Sequence, residues 1–439
     1  AMAVGELDRW QAAEVEVQAA YALHDSYSAE DRATLETHAT RARALLDALE
    51  PELAGAPQRA RYLYLRGKVL DASQEYSAES EALLTRAVKL DPSNIDAWNT
   101  LAECLWKGGR FELARTCYCE ALARERNADS LCQLSMLLRT MSNRSDATLV
   151  LESLRLAKEA VALDVACGRA WYVLGNAYLS SYFAPTQQRR LDDLHSALKA
   201  YRRAAQAPTR PQVGCADLHY NKAIVQQYLL EYAESLDAFA EAHRLAPELS
   251  AHAQRRALLA FVRKCADAVQ ARGHLPKKRL QQLERALRAP PAPGALEPRA
   301  IADLVVGANA GASLRGAVVA ELVPEAQTPL CYVLVDRAGD TVLLCVYNTV
   351  PGAIQVYQTI EVHAPQVRRV DVPTEAAAAA GAGGGGGAPL AFACVVLEDP
   401  LSGLLVQGRP LERSQVGRAR VTNTAAAAAS AASARAAGA

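Results

Sequence analysis

The sequence predicts a mainly α chain, a solenoid of helix pairs, followed by a small β-barrel. Three observations carry that prediction. A spaced set of aromatic and small residues recurs between about positions 58 and 247, at a period close to ~34 residues. The stretch APPAPGALEP, 289–298, then breaks the pattern as a proline-rich linker. Beyond it the apolar period changes from helical to strand-like, in short β-branched runs punctuated by Gly, Pro, Asn or Asp.

The clearest repeat begins at Asp91. Trp98, Leu101, Ala102, Leu105, Ala114, Tyr118 and Ala121 stand at the spacings of a tetratricopeptide repeat, a two-helix unit. Small side chains at Ala102 and Ala114 let the helices approach, and Trp98, Leu105 and Tyr118 are expected to be buried packing around that contact. Trp171, at the same position of a later unit, is read the same way. Pro92 stops the preceding helix, and Lys107-Gly108-Gly109-Arg110 turns the chain. One such pair cannot bury its apolar face alone, so neighbours are required.

Those neighbours follow in order. Residues 1–57 read as two helices, Leu7 to Ala22 and Ala29 to Glu50. The solenoid spans 58–288, about five repeats and a capping basic helix. Its first repeat carries Tyr62, Leu65, Gly67, Leu84, Ala87 and Pro92. The third carries Leu134, Ser135, Leu138, Ser153, Ala157 and Ala160, with a long turn at 142–146. The fourth carries Trp171, Leu174, Gly175, Tyr178, Ala197, Tyr201 and Ala204, with an insertion around 183–190. The fifth carries His219, Ala223, Ser235, Phe239, Ala242 and Pro247. A helix from Ala251 to Arg272 caps the stack.

After a linker at 289–300, residues 301–412 hold five apolar runs: LRGAVVAELV, LCYVLVD, TVLLCVYN, IQVYQTIEV and LAFACVVLE. Five short strands in that length suggest an OB-fold. An Ala/Gly-rich insertion at 375–388 is expected to be a flexible loop, and the alanine-rich tail at 413–439 to be disordered.

Composition narrows the function. Lys+Arg and Asp+Glu both total 48, so no global field draws the chain to nucleic acid or anionic membrane. The ten cysteines are scattered through apolar contexts, which points to reduced thiols in the cytosol or nucleus. No apolar run is long enough to span a bilayer, and the N-terminus lacks a signal pattern. There is no P-loop, nucleophile elbow, Rossmann glycine set or metal-ligand spacing, so neither catalysis nor a cofactor is expected. Locally, Arg263, Lys264, Arg272, Lys277, Lys278, Arg279, Arg285 and Arg288 face only Asp267 and Glu284. Such density suits phosphate neutralisation, although a solvated helix face carries the same composition. Tyr332, Tyr347, Tyr357 and Phe392 lie in the barrel runs, divided between core and a nucleic-acid stacking surface.

Four segments extend beyond the generic repeat: LLTRAVKLDPSNIDAWNTLAECLWKGG (83–109), LCQLSMLLR (131–139), GRAWYVLGNAYLSSYF (168–183) and DLHYNKA (217–223). Over roughly 58–410 they resemble the Strap family, tetratricopeptide repeat protein five. The resemblance implies a non-catalytic peptide-binding adaptor, cytoplasmic and nuclear. Members recognise the nascent tubulin N-terminus, Met-Arg-Glu followed by Ile or Cys, at the ribosome and trigger decay of tubulin mRNA through decay adaptors. Members are also described as nuclear stress-response cofactors that scaffold acetyltransferase complexes. A third reading is an OB-fold nucleic-acid binder.

In the tubulin reading the groove needs one charge of each sign. The resemblance assigns Arg139 to the peptide glutamate and Asp217 to the peptide arginine, with His219, Asn221 and Asn176 lining the groove. Residue type alone leaves Asp217 equally a helix N-cap and Arg139 equally a solvated helix-end charge. Lys277, Lys278 and Arg279 are assigned to ribosomal RNA. The chain departs from its relatives after Pro247, where an additional acidic residue is replaced by Leu249-Ser250-Ala251, with Glu248 slightly earlier.

Overall fold

The computed structural model describes residues 4–23, 29–53, 55–142, 146–184, 190–207, 215–287, 297–324, 329–373 and 390–416. The inserted residues 185–189, most of the proline-rich linker, the Ala/Gly-rich insertion and all of the tail beyond 416 lie outside them.

Fourteen α-helices precede the sheet among the described residues. α1 (Val4–Ala22) and α2 (Ala29–Leu49) form an N-terminal pair. The repeats are α3 (Ala56–Asp71) with α4 (Ala78–Leu90), α5 (Ile95–Lys107) with α6 (Phe111–Arg124), and α7 (Ala128–Ser142) with α8 (Ala147–Leu163). They continue as α9 (Gly168–Phe183) with α10 (Leu191–Gln206), and α11 (Cys215–Tyr228) with α12 (Tyr232–Leu245); α13 (Ala251–Gln270) and α14 (Lys277–Leu287) follow. The helix starts are set by side-chain caps: the Asn94 amide oxygen accepts from Ala97 N–H at 2.9 Å, and the Asp146 carboxylate from Thr148 N–H at 2.9 Å.

Within a pair, the helices cross where the sequence is small. Gly67 takes the Leu84 side chain against its backbone, leaving 2.7 Å for an added Cβ. At the same crossings a buried serine hydroxyl donates to the partner helix. Ser80 reaches the Gly67 carbonyl at 2.8 Å, Ser135 the Ser153 carbonyl at 3.0 Å, and Ser235 the Ala223 carbonyl at 2.8 Å. A small residue there therefore brings the helices close, and the hydroxyl is satisfied without water.

Trp98 and Trp171 are not fully buried as their repeat position suggests. Both are partly buried at the edge of the core. Each indole folds back on its own helix start: Trp98 Nε1–H donates to the Pro92 carbonyl at 3.0 Å and Trp171 Nε1–H to the Val165 carbonyl at 2.8 Å. The polar end of the ring requires that partner, which keeps it near the surface.

Among the described residues the C-terminal part is a ten-stranded sheet in the order β10-β9-β6-β3-β4-β5-β8-β7-β2, its short strands being β1 (Pro298–Arg299, parallel to β3), β2 (Gly307–Ala308), β9 (Leu404–Val406) and β10 (Arg409–Pro410). The long strands are β3 (Ser313–Leu322), β4 (Leu330–Val335), β5 (Thr341–Val346), β6 (Thr359–His363), β7 (Gln366–Val372) and β8 (Leu390–Leu397). β5 and β8 are parallel; β7 is antiparallel to β8, and β6 to β3. β6 and β7 therefore run the same way, separated only by Ala364, at φ +46°, and Pro365. They act as one broken strand whose halves pair with opposite ends of the sheet. That closes a five-stranded barrel, the OB arrangement expected from the five apolar runs.

β4 buries every residue and β5 all but its first. Alternate side chains serve two cores. Leu314, Val318, Tyr332, Leu334, Leu344 and Val395 fill the barrel. Val319, Cys331, Val333, Leu343, Cys345 and Cys394 face outward, into one cluster with Tyr228, Val262, Cys265 and Ala268 of the last helices. Polar contacts cross the same junction: Arg368 donates to the Leu229 carbonyl at 2.8 Å, Thr341 Oγ1 to the Val269 carbonyl at 2.8 Å, and the Tyr347 hydroxyl to the Tyr228 carbonyl. Gly273, at φ +69°, lies so close to Val319 that an added Cβ would sit 2.8 Å from it. Repeats and barrel thus share a core across the proline-rich linker.

No described helix is long and apolar enough to cross a membrane. Every cysteine whose side chain is described is a free thiol, and no described cluster of His, Cys, Asp and Glu suits a metal. Sequence-distant Cys331 and Cys345 are cross-strand partners with sulfurs 3.7 Å apart, and burial raises the Cys265 thiol to about 12.

Candidate peptide groove

Arg139 closes the apolar LSMLL run in the last turn of α7. Its side chain is drawn inward over Cys132, beside Tyr172 of α9 and Tyr201 of α10. The Nε–H is buried and has no hydrogen-bond partner, and no carboxylate among the described residues pairs with the guanidinium. Burial depresses its pKa, partly offset by the two phenols. A guanidinium still does not deprotonate, so a partly buried cation, its Nε–H out of water, stands here without a carboxylate partner among the described residues.

The tyrosines around it are locked. Tyr172 and Tyr201 lie with ring centroids 6.2 Å apart, inclined by 42°. The Tyr201 hydroxyl donates to Asn176 Oδ1 at 2.7 Å; Asn221 Nδ2 donates to the same oxygen at 3.1 Å and to the Tyr172 hydroxyl at 3.3 Å. Asn221 Oδ1 is buried with no partner. Asp217, only 2% exposed, is close enough to Tyr172 to help raise the phenol's pKa, after burial itself, while Arg139 pulls it down. Tyr172 thus lies within electrostatic reach of both a cation and an anion.

Of the sequence-predicted residues, Arg139, Asn176, Asn221 and Asp217 come together around this tyrosine pair. His219 does not. It lies two residues from both Asp217 and Asn221, about 200° around α11, and its neighbours are Lys222, Glu241 and Arg244. Burial, then Lys222, lowers its pKa, so it is neutral near physiological pH. Asp217 lies inside the first turn of α11 rather than capping it. Ala251 is fully buried and Glu248 exposed, so the departure after Pro247 places no buried carboxylate there.

Tyr172 and Tyr201 themselves were not singled out for the groove from sequence, although the repeat register contains the signal. Tyr172 and Asn176 each follow a signature residue, Trp171 and Gly175, and stand four apart on one helix face. Gly175 makes the arrangement possible: a Cβ there would stand 2.4 Å from Tyr201 Cε1. Gly175→Ala should therefore displace the ring, cost about 1–3 kcal/mol of stability, and weaken peptide binding by releasing Asn176. Urea melts and peptide titration of the purified variant check both effects.

Lys277, Lys278 and Arg279 are exposed at the start of α14, whose Leu280, Leu283 and Leu287 are buried. The basic residues are far along the chain from the groove, on a helix packed against β3.

A repeat array ending in an OB barrel, with a partly buried, unpaired cation beside a tyrosine pair, defines a peptide- or protein-binding adaptor. The family comparison agrees. Residues 295–420 match the tetratricopeptide repeat protein 5 OB fold domain, and residues 77–135 match a tetratricopeptide repeat. Tetratricopeptide repeat protein 5 of Mus musculus is 33% identical over 397 residues, covering 86% of this chain and 87% of its own length. The Homo sapiens protein is 33% identical over 392 residues, covering 85% and 86%. The chain belongs to the tetratricopeptide repeat protein 5 family.

Proposed function

We propose that the chain reads the nascent N-terminal tubulin peptide, Met-Arg-Glu followed by Ile or Cys, at the ribosome, and that this triggers decay of tubulin mRNA through recruited decay adaptors in the cytoplasm. The observation that supports this reading is the state of Arg139. A partly buried guanidinium whose Nε–H has no hydrogen-bond partner and that pairs with no described carboxylate is costly to maintain. A peptide glutamate would supply the missing charge, in the bidentate geometry for which guanidinium is suited. Asp217, which also influences Tyr172, suits the neighbouring peptide arginine. The orphaned Asn221 Oδ1 offers an acceptor to a peptide N–H. Lys277, Lys278 and Arg279 would hold the molecule on ribosomal RNA. No bond is made or broken in this function; the activity is occupancy.

The test is retrieval of ribosome–nascent-chain complexes by the purified chain. Complexes exposing the tubulin N-terminus should be retained, and complexes whose first residues are Met-Ala-Ala should not. Equal retention of both would eliminate the reading.

A further inference from the structure

Three of the four barrel aromatics are core: Tyr332 is 0%, Tyr347 1% and Phe392 6% exposed. Tyr357 is the exception, at 45%. Its backbone stands at φ +74°, a left-handed conformation that tyrosine rarely adopts. The surrounding chain imposes it. Tyr357 N–H donates to the Val318 carbonyl at 2.7 Å and Val318 N–H to the Gln358 carbonyl at 2.9 Å, at the bulge where β3 changes register. Gln358 Oε1 also accepts from Gln355 N–H at 2.9 Å, closing the turn from within. Strain fixed in this way marks a residue held for a purpose. Here its effect is to hold a large ring out of the barrel, beside the basic helix.

Arg279 of α14 covers that ring, its guanidinium carbon 4.6 Å from the centroid, and is itself steadied by Gln282 Oε1 at 3.1 Å. Lys278 and Lys277 are exposed one and two residues earlier, and Arg285 is exposed six residues on. The acid of this helix, Glu284, is turned aside toward Gly339 and Arg272. An aromatic face and a guanidinium plane therefore meet where the solenoid's last helix joins the barrel, with the exposed ammonium groups of Lys277 and Lys278 in the same first turn of that helix.

We infer that this surface binds an unpaired RNA nucleotide, with its base stacked on the Tyr357–Arg279 pair and its flanking phosphates on Lys277 and Lys278. Every base has a π-face, so stacking on an aromatic or guanidinium plane is tolerant of sequence, whereas an acidic protein surface would need the cations but not the ring. The inference deepens the ribosome-docking part of the proposed function and rests on it for the source of the RNA. Arg279 then acts partly as half of a stacking platform rather than solely as a phosphate contact.

The test uses the full chain, a fluorescein-labelled unstructured RNA of about 12 nucleotides, and titrations at several salt concentrations. Tyr357→Ala should weaken binding about tenfold with an unchanged salt slope, and Tyr357→Phe should stay within about twofold of the parent because the ring remains. The Lys277→Glu, Lys278→Glu double variant should flatten the slope by more than one unit, at roughly 0.7 per phosphate contact for a single strand. Circular dichroism melts and Met-Arg-Glu-Ile binding, measured in parallel, identify any variant that has misfolded. A Tyr357→Ala protein that is folded and binds RNA within twofold of the parent overturns the stacking site. So does a parent chain that holds ribosomes but not the oligonucleotide, since a protein surface is then the partner. If the oligonucleotide is held through Tyr357 while ribosomes are not, the site stands and the ribosome reading falls.

Discussion

Asp71→Ala should destabilise the repeat array by about 3–5 kcal/mol, the range for removing one partner of a buried ion pair. Asp71 ends α3 and its side chain is 0% exposed; Lys107, ending α5, is 5% exposed and places Nζ 3.0 Å from Asp71 Oδ2. The same ammonium donates to the Asp71 carbonyl at 2.6 Å and the Ser73 carbonyl at 3.2 Å, and lies 3.6 Å from Glu103. Tyr21 of α1 donates to Glu103 at 2.5 Å, so the N-terminal pair is tied into repeats one and two through this network. Burial, with Glu103 and Asp71 adding to it, holds the Tyr21 phenol protonated. Removing the Asp71 carboxylate leaves Lys107 in low dielectric beside Glu103, a partly exposed acid. The desolvation cost of the cation is then uncompensated, which is larger than the attraction lost. Replacing both partners, Asp71→Leu with Lys107→Met, should recover most of the loss, because two apolar side chains of similar size need no counter-charge. Urea unfolding of the two variants decides it. If the double variant is no more stable than the single one, the remaining hydrogen bonds and not the charge pair hold the network.

The sequence made the helical order legible because the repeat's small residues, Gly67, Ala102, Ser135, Gly175 and Ala223, stand where helices must touch, and nothing else satisfies that spacing. The barrel was legible as five apolar runs for the same kind of reason. What its runs did not disclose was their second core. LCYVLV and TVLLCV lack the alternation of a half-exposed strand, which shows that both faces are covered but not by what. The cover is α11 to α13, placed there through the proline-rich linker, a relation that no local pattern encodes. Trp98 and Trp171 illustrate a different limit. Repeat position fixed the backbone around them, while the indole N–H, needing a carbonyl at the helix start, decided how deep the ring could go. At the groove, Arg139 and Asp217 were legible only as charges of useful sign. Their environment depends on Tyr172 and Tyr201, 33 and 62 residues beyond Arg139 in the sequence. His219 shows the converse: proximity in sequence to Asp217 and Asn221 turned it to another face of the same helix.

Arg139→Ala should weaken a Met-Arg-Glu-Ile peptide by at least about tenfold, and the loss should nearly vanish for a peptide whose glutamate is already alanine. The first part follows from the burial of the guanidinium. Hydrogen bonds to charged groups out of water contribute about 1.5–3 kcal/mol, against under ~1 kcal/mol for an exposed pair, and about 1.4 kcal/mol is one decade of affinity. The second part distinguishes contact from coincidence. If Arg139 meets the glutamate, the two truncations remove the same interaction, and the double-mutant cycle returns a coupling well above ~0.5 kcal/mol. If the losses add, Arg139 shapes the groove without touching the glutamate. Arg139→Lys sharpens the result: an ammonium keeps the charge but cannot make the planar, two-pronged contact, so it should restore only part of the affinity. Stability supplies an independent sign. Removing a partly buried cation whose Nε–H has no partner relieves a desolvation cost, so Arg139→Ala should leave the free protein about as stable while it loses the peptide. A variant that melts markedly earlier than the parent would show instead that Arg139 is already satisfied within the fold, and the glutamate would need a different partner.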